Sequence, residues 1–298
     1  MSVDRVIGVD VGGTKILAGV VDADGRVEQK HERPTPVGSE DELLAAFDAA
    51  VEELRDDGVA AVGFGLPSQI DQERGLITGS VNIPLHGLAL RDRMSERFGL
   101  PAALENDANA AALGEFRAGA GRGARTMVML TLGTGCGGGI VLDGSLYRGW
   151  AELGHMVIEF EGIPCQGECV GRGHLEPYVT GLAATRLARE AFGADADAHV
   201  LLGRAHERDE KAVEILGGIG HRLGAGIASL VNIFTPELVV IGGGFGTAAF
   251  DFLVEPAHEV IRRDALPPAN EAARIVRAKL GADAGLIGAG LVALDAAA

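Results

Sequence analysis

The sequence predicts an α/β protein built of two lobes, and three observations lead to this prediction. Two glycine-rich loops of one design each join an apolar, β-rich run to another such run. A strand hairpin pattern followed by amphipathic helical patterns occurs in both halves of the chain. At 298 residues, the chain is long enough for two domains of ordinary size.

The two glycine loops, residues 10–15 and 131–139, predict a phosphate-binding function. A dinucleotide-binding loop or a P-loop leads into a helix, whereas both of these loops lead into a strand pattern. Backbone N–H groups in such turns can bind phosphate oxygens. Two tight glycine turns without a ligand are the alternative. The residues that we expect to contact a nucleotide here are Asp10, Gly12, Gly13, Thr14, Lys15, Thr131, Gly133, Thr134 and Gly135.

Three further features complete the predicted nucleotide site. Asp10 lies where a strand pattern meets the first loop, so its carboxylate can hold Mg²⁺ directly or through water. Lys15 either offers its charge to phosphate or is simply solvated. A glycine triplet follows a buried strand pattern, and its bare backbone would let an adenosine lie against it. A simple turn is the alternative interpretation of this triplet. This triplet is Gly242, Gly243 and Gly244.

Asp107 is the predicted catalytic base. It lies at the junction of a strand pattern over 102–105 and a helix pattern over 108–118. A helix N-terminus favours the ionised carboxylate, which can accept the proton of a sugar hydroxyl as phosphoryl transfer begins. Asn106 can orient a hydroxyl beside it. A plain helix N-cap is the alternative role for Asp107.

A cluster of potential zinc ligands falls within twenty residues of a segment that has little regular pattern. The ligands are His155, Cys165, Cys169 and His174. Four such side chains make up a closed tetrahedral structural site. The spacing differs from that of a zinc finger, and two buried thiols with two unrelated histidines are the alternative. A zinc ion would fix the segment and hold Glu152 and Glu176 toward a substrate.

The element pattern divides the chain near the glycine-rich stretch 119–123. We expect a small N-terminal lobe of residues 1–120, joined by a C-terminal helix over about 284–298, and a large lobe of residues 121–283 that carries the zinc-binding loop. The elements expected in the first lobe include a helix from the Ser39 capping box to about residue 57, a strand over 59–66, an irregular loop up to Gly87 and a helix over 88–98. Those expected in the second include helices over 181–192 and 209–234 and strands over 238–241 and 274–278.

Composition excludes several classes of protein. The net charge of −16 argues against a nucleic-acid partner. No uncharged apolar run of 18 residues is present, which predicts no membrane partner, and Asp4 and Arg5 interrupt the apolar start. Three cysteines do not make a disulfide scaffold. We therefore expect a cytoplasmic, reduced protein.

With these motifs assembled, the chain resembles the ROK family of sugar kinases, in the actin-like/hexokinase ATPase superfamily. The resemblance covers essentially the whole chain and is greatest to the glucokinase-like members. It implies a two-lobed actin-like ATPase (ribonuclease H-like) fold with an active-site cleft between the lobes. The motifs that carry it are residues 10–15, 105–110, 131–135, 152–155, 165–176 and 241–244.

The resemblance implies ATP-dependent phosphorylation of a hexose, foremost glucose, at its 6-hydroxyl, with Asp107 as the base. Hexose and nucleotide would be the substrates, Mg²⁺ and a structural Zn²⁺ the metals, and a homodimer or homotetramer the assembly. His155 would bind both zinc and sugar. The residues implied to contact the sugar are Asn82, Asn106, Asp107, Glu152, His155 and Glu176.

Two departures from the family pattern bear on the site. The family zinc motif usually supplies three cysteines, and His174 stands where the last is expected. Pro67-Ser68 and the stretch 82–86 replace segments that border the sugar pocket in glucokinase-like members.

Three alternatives stay open at this point. The first is a kinase for another hexose or an N-acetylhexosamine, such as mannose, fructose, N-acetylglucosamine or N-acetylmannosamine. The second is a sugar-responsive transcriptional regulator, which would carry a helix-turn-helix before the first loop, where only nine residues precede Asp10. The third is an inactive sugar-binding protein, against which the presence of both Asp10 and Asp107 argues.

Overall fold

A computed structural model describes residues 5–167 and 169–298 of the chain. The chain divides into two compact units. The first comprises Met1–Gly123, Leu146–Trp150 and Ala282–Ala298, and the second comprises Ala124–Ser145 and Ala151–Gly281. Leu146–Trp150, which falls inside the sequence range 121–283, thus lies in the first unit.

The strands and helices are named in chain order. The strands are β1 (Arg5–Val11), β2 (Lys15–Asp22), β3 (Val27–Pro34), β4 (Val62–Leu66), β5 (Ser68–Asp71), β6 (Leu76–Ser80), β7 (Ala102–Asn106), β8 (Met127–Leu132), β9 (Cys136–Leu142), β10 (Ser145–Leu146), β11 (Leu238–Gly242) and β12 (Arg274–Arg277). The helices are α1 (Glu40–Glu52), α2 (Leu90–Phe98), α3 (Asp107–Ala118), α4 (Glu176–Val179), α5 (Gly181–Phe192), α6 (Ala198–His206), α7 (Glu210–Phe234), α8 (Gly244–Asp264), α9 (Ala269–Ala272) and α10 (Ala284–Ala297).

Each unit contains a five-stranded sheet, and the two sheets have corresponding strand orders. The order is β3-β2-β1-β4-β7 in the first unit and β10-β9-β8-β11-β12 in the second. In each, the strand before the glycine loop pairs antiparallel with the strand after it and parallel with a later strand. Strands follow both glycine loops, as predicted. The topology is therefore duplicated although the sequence shows no close repeat.

Several element predictions were wrong. Residues 67–87, expected to be irregular, contain the β5–β6 hairpin, in which the buried Ile70 pairs with the buried Ile77. Its strands are only four and five residues long, too short to give a clear alternating pattern. Helix α8 was not anticipated, because Pro256 lies inside it and glycines begin it. Helix α6 was also missed, and α1 ends at Glu52 rather than near residue 57.

Helix α10 forms the centre of the first unit. Every residue from Ala284 to Leu294 is buried, as expected for a helix that is apolar all round. It packs on β1 and β4 and on α3 at backbone distance, because the contact positions are glycines. A Cβ added at Gly8 would overlap the carbonyl oxygen of Leu286, and one at Gly288 would overlap that of Ala110. The end of the chain thus fixes β1 and α3, which carry the first candidate site.

Among the described residues, no helix combines the length and the apolarity needed to cross a bilayer.

Replacing Gly63 tests the close approach of α10. A Cβ at this position of β4 would overlap the carbonyl oxygen of Ala289, so we expect Gly63→Ala to lower the free energy of unfolding by about 1–3 kcal/mol through overpacking. The matched control is Gly203→Ala in α6, where no atom beyond the neighbouring helix backbone lies within 4 Å of an added Cβ and the residue is exposed. This control should be neutral or stabilising by up to about 1 kcal/mol. Denaturant unfolding measures both variants, and equal stability of Gly63→Ala and the natural chain would contradict the packing.

Candidate active site and metal centre

The first glycine loop is held by backbone and threonine hydrogen bonds. Gly12 N donates to Lys15 O at 2.9 Å, and Thr35 donates through Oγ1 to Gly12 O at 2.7 Å and through N to Thr14 O at 3.1 Å. Gly13 and Thr14 are exposed at the tip. These hydrogen bonds fix the backbone of the loop, and its tip stays accessible to a ligand.

Two further predicted site residues are Asn82, beside this loop, and Lys15, at its end. Asn82 lies against it, since a Cβ added at Gly13 would be 3.2 Å from the Cβ of Asn82, and its backbone is left-handed with φ of 65°. The Lys15 ammonium donates to Glu32 at 2.9 Å, which raises the pKa of Lys15. Lys15 stays charged, and this charge is already paired with the Glu32 carboxylate.

Asp10 lies near the end of β1, beside the first turn of α10. A Cβ added at Gly285 would be 2.6 Å from Asp10 Oδ2, so the carboxylate occupies the space that a side chain would fill there. Burial and, to a lesser extent, the nearby charge of Asp107 together raise the pKa of Asp10 to about 7, whereas Lys15 opposes the shift. Asp10 is thus poised to lose its proton when a cation approaches.

Asn106 and Asp107 join β7 to α3. Asn106 caps the helix, because its Oδ1 accepts from Ala108 N at 3.0 Å and from Asn109 N at 3.2 Å. Asp107 is the first helical residue, and its Oδ1 accepts from Ala108 N at 2.8 Å. The N-cap role considered for Asp107 therefore belongs to its neighbour. The Asp107 carboxylate lies at the positive end of α3.

Glu105 is a residue of this site that the sequence interpretation missed. It is 1% exposed, and its Oε1 accepts from the Asn106 backbone at 3.0 Å, from the Asn109 side chain at 3.1 Å and from Gln72 at 3.4 Å. Its Oε2 lies 3.3 Å from Arg148 Nε. A glutamate at the end of an apolar strand was the signal that could have revealed it.

The second glycine loop is anchored within the second unit by a helix and by an acid. Gly133 N donates to Gly135 O at 2.9 Å, and Gly181, the first residue of α5, donates to Gly133 O at 2.8 Å. Glu176 Oε2 accepts from Cys136 N at 2.8 Å. The structure thus brings Glu176, predicted to face a sugar, into contact with the predicted phosphate loop. Thr134 is exposed at the tip.

The glycine triplet lies beside this second loop. Gly242 pairs with Thr131 in the parallel β8–β11 register. Gly243 has φ of 77°, and a Cβ there would overlap the carbonyl oxygen of Leu132. Helix α8 begins at Gly244 without a side-chain cap among the described residues. Its first N–H groups therefore suit an anion or a polar ligand group.

The four predicted metal ligands converge. One ligand atom from each of His155, Cys165, Cys169 and His174 lies within 4.8 Å of the others. Cys169 Sγ is 3.7 Å from His174 Nδ1, and His155 Nδ1 is buried without a hydrogen-bond partner in the described part of the chain. A set of two sulfur and two nitrogen donors, one of them orphaned, fits tetrahedral zinc.

The two acids expected at the sugar adjoin this cluster. Glu152 Oε2 is 3.8 Å from His155 Nδ1, and Glu176 Oε1 is 4.0 Å from Cys165 Sγ. Burial raises the pKa of the Cys165 thiol to about 11, so a cation would be needed to hold its thiolate at neutral pH. The structure thus brings Glu152, Glu176 and the metal ligands together within the second unit.

Comparisons with known proteins find relatives that match almost the whole chain. The glucokinase of Thermotoga maritima is 37% identical, with 96% of each chain covered, and that of Streptomyces coelicolor is 36% identical, with 95% of each covered. The structure of a ROK family glucokinase from Streptomyces griseus, in complex with glucose and AMPPNP, is similar at a TM-score of 0.83 and 34% identity, covering 98% of this chain and 99% of that one.

These likenesses confirm the predicted actin-like ATPase fold. The sequence profile described as "ROK family" matches residues 6–296, essentially the whole chain. On the motifs, the duplicated sheets and these matches, the chain belongs to the ROK family.

Proposed function

We propose that this chain transfers the γ-phosphoryl group of ATP to the 6-hydroxyl of a hexose, and that glucose is its preferred sugar. The relatives named glucokinase, matched over 95% or more of both chains, support this function. The observation that carries it is the placement of Asp107 at the start of α3, in the same unit as Asp10 and the first glycine loop.

Asp107 serves in this proposal as the general base. The positive end of α3 and the N–H of Ala108 stabilise its ionised form. An ionised carboxylate can take the proton from the sugar hydroxyl as that oxygen attacks phosphorus. Phosphoryl transfer asks little covalent chemistry of a protein, so positioning and charge stabilisation supply most of the catalysis.

The glycine loops would hold the phosphates of ATP. Their backbone N–H groups and the hydroxyls of Thr14, Thr131 and Thr134 are suitable donors, and Gly242–244 would lie against the nucleoside. Asp10 would hold Mg²⁺, which offsets phosphate charge when bound. Lys15 would share its charge between Glu32 and phosphate.

The sugar would be held by polar side chains, as the resemblance to the ROK family implies. These side chains are Asn82, Asn106, Asp107, Glu152, His155 and Glu176. Carboxylates accept hydrogen bonds from ring hydroxyls, and a site built to bond a hydroxyl rejects sugars that lack it.

We propose a structural zinc ion bound by His155, Cys165, Cys169 and His174. The ion would restrain the loop that carries Glu152 and Glu176, because this loop contains little helix or strand of its own. Zinc here positions residues and takes no part in the chemical step.

An N-acetylhexosamine is the second candidate sugar, because the chain departs from the glucokinase-like pattern at Ser68. Ser68, at a departure from the glucokinase-like pattern, accepts from Asn106 Nδ2 through its carbonyl oxygen at 3.5 Å, and its hydroxyl bonds that of Ser80 at 2.7 Å. The departure therefore lies next to Asn106, where it can alter the pocket.

A side-by-side kinetic panel with ATP decides the sugar. We expect glucose to have the highest kcat/KM, with mannose or glucosamine behind it, because misplaced hydroxyls leave buried polar groups unpaired. Coupled detection of ADP, against N-acetylglucosamine, N-acetylmannosamine and fructose, measures this. A higher kcat/KM for an N-acetylhexosamine would overturn the glucose assignment, and no turnover with any hexose would overturn the kinase function.

Asp107→Asn tests the base. The amide keeps the shape of the side chain but cannot accept the proton, so kcat should fall by roughly 10²–10⁴ while nucleotide affinity is retained. Asp57→Asn, at an exposed position, is the control and should leave kcat unchanged. Steady-state kinetics and nucleotide titration separate the two effects, and near-normal turnover by Asp107→Asn would exclude Asp107 as the base.

Removal of one ligand tests the zinc site. Metal analysis of the purified chain should give about one zinc per chain, and His174→Ala should lose both the zinc and the activity because three ligands remain. His174→Cys should restore both, whereas His199→Ala, at an exposed histidine, should change neither. A natural chain that is fully active without metal would rule out this role.

A further inference from the structure

An ion pair next to Asp107 joins two side chains of very different exposure. The Glu105 side chain is 1% exposed, whereas that of Arg148 is 49% exposed, and Nε of the arginine lies 3.3 Å from Glu105 Oε2. This oxygen is buried, and no hydrogen bond of good geometry reaches it from the described residues. The positive charge of Arg148 is therefore what compensates the buried Oε2.

The other oxygen of Glu105 accepts hydrogen bonds from residues before and after Asp107 in sequence. Oε1 accepts from the backbone N–H of Asn106, which precedes Asp107, and from the side chain of Asn109 in the first turn of α3. Asn109 is itself only 4% exposed. A shift of the Glu105 carboxylate would therefore move the turn that carries Asp107.

Arg148 comes from a segment with an unusual place in the chain. Leu146–Trp150 belongs to the first unit, although the residues before and after it in sequence belong to the second. Arg148 lies in the middle of this segment and is its link to the buried end of β7. Burial raises the pKa of Glu105, and the charge of Arg148 and the hydrogen bonds from Asn109 and Asn106 oppose that shift.

We propose that Arg148 is a positioning residue for the base: its guanidinium holds the Glu105 carboxylate in place, and Glu105 in turn fixes the first turn of α3 around Asp107. The role rests on the kinase function proposed above. It assigns no contact between Arg148 and either substrate. Loss of the guanidinium would therefore affect turnover through the geometry of Asp107.

Two substitutions of Arg148 separate charge from shape. Arg148→Met removes the charge and should lower kcat by about 10–100-fold, because small misplacements of a catalytic group are costly, with KM for ATP little changed. Arg148→Lys keeps the charge and should recover most of the loss. If Arg148→Met does not fold, Arg148→Gln makes the same comparison. The control Arg125→Met removes an exposed arginine paired with Asp143 at 2.6 Å and should leave kcat unchanged.

A double-mutant cycle tests whether Arg148 acts through Glu105. Glu105→Gln removes the charge that Arg148 holds, so Arg148→Met should cause no further loss of kcat in that background. Hydrogen exchange gives a readout that does not need catalysis. Amides of residues 106–109 should exchange faster in Arg148→Met, and at the natural rate in Arg148→Lys and Arg125→Met.

Additive losses in the double variant would overturn the proposal. So would a defect confined to KM for the sugar with unchanged exchange, which would indicate direct sugar contact instead. A chain that phosphorylates no hexose would overturn the proposed function, yet the exchange result would still decide whether Arg148 orders the turn around Asp107.

Discussion

The burial of the Asp10 carboxylate, with the charge of Asp107 nearby, is the constraint on which the candidate site of the first unit depends. Each side chain is held by an element that cannot easily move, because α10 packs on both β1 and α3 at backbone distance through glycines such as Gly8 and Gly288. Burial and the nearby Asp107 together raise the pKa of Asp10 to about 7. Like charges held together destabilise a protein until a cation or a proton offsets them. The close packing of α10 thus holds the elements that carry the two carboxylates.

The second unit contains a segment with little regular secondary structure, which other contacts must order. Isolated bridges such as Val157 with His174 cross the segment, and the convergent histidine and cysteine side chains could bind a metal that fixes it further. Glu176 connects this segment to the second glycine loop through the N–H of Cys136. If the proposed zinc is bound, its loss should therefore affect the predicted phosphate loop as well as Glu152.

The sequence was most informative where function depends on local structure. Glycine loops that lead into strands, and an acid at the start of α3, are short-range patterns, and the structure contains both. The assignment of the helix cap to Asn106 rather than Asp107 needed the backbone geometry. The Glu105–Arg148 pair joins positions far apart in sequence, and Gly285, against Asp10, comes from the other end of the chain. No local pattern predicts such partners. Helix α8 was missed because Pro256 is a helix-breaking residue, whereas tertiary packing keeps the segment helical.

Proton release on nucleotide binding tests directly whether Asp10 is about half protonated at pH 7 in the free chain. A cation favours the ionised form, so Asp10 should lose its proton on binding wherever the free chain holds one. Calorimetry of magnesium-saturated AMPPNP in buffers of different ionisation enthalpy measures this release. With a pKa of about 7 in the free chain, we expect about half a proton per chain at pH 7, close to one near pH 5.5 and almost none near pH 8.5, with Asp10→Asn lacking this component. A release that is the same at all three pH values, or the same in Asp10→Asn, would contradict the account.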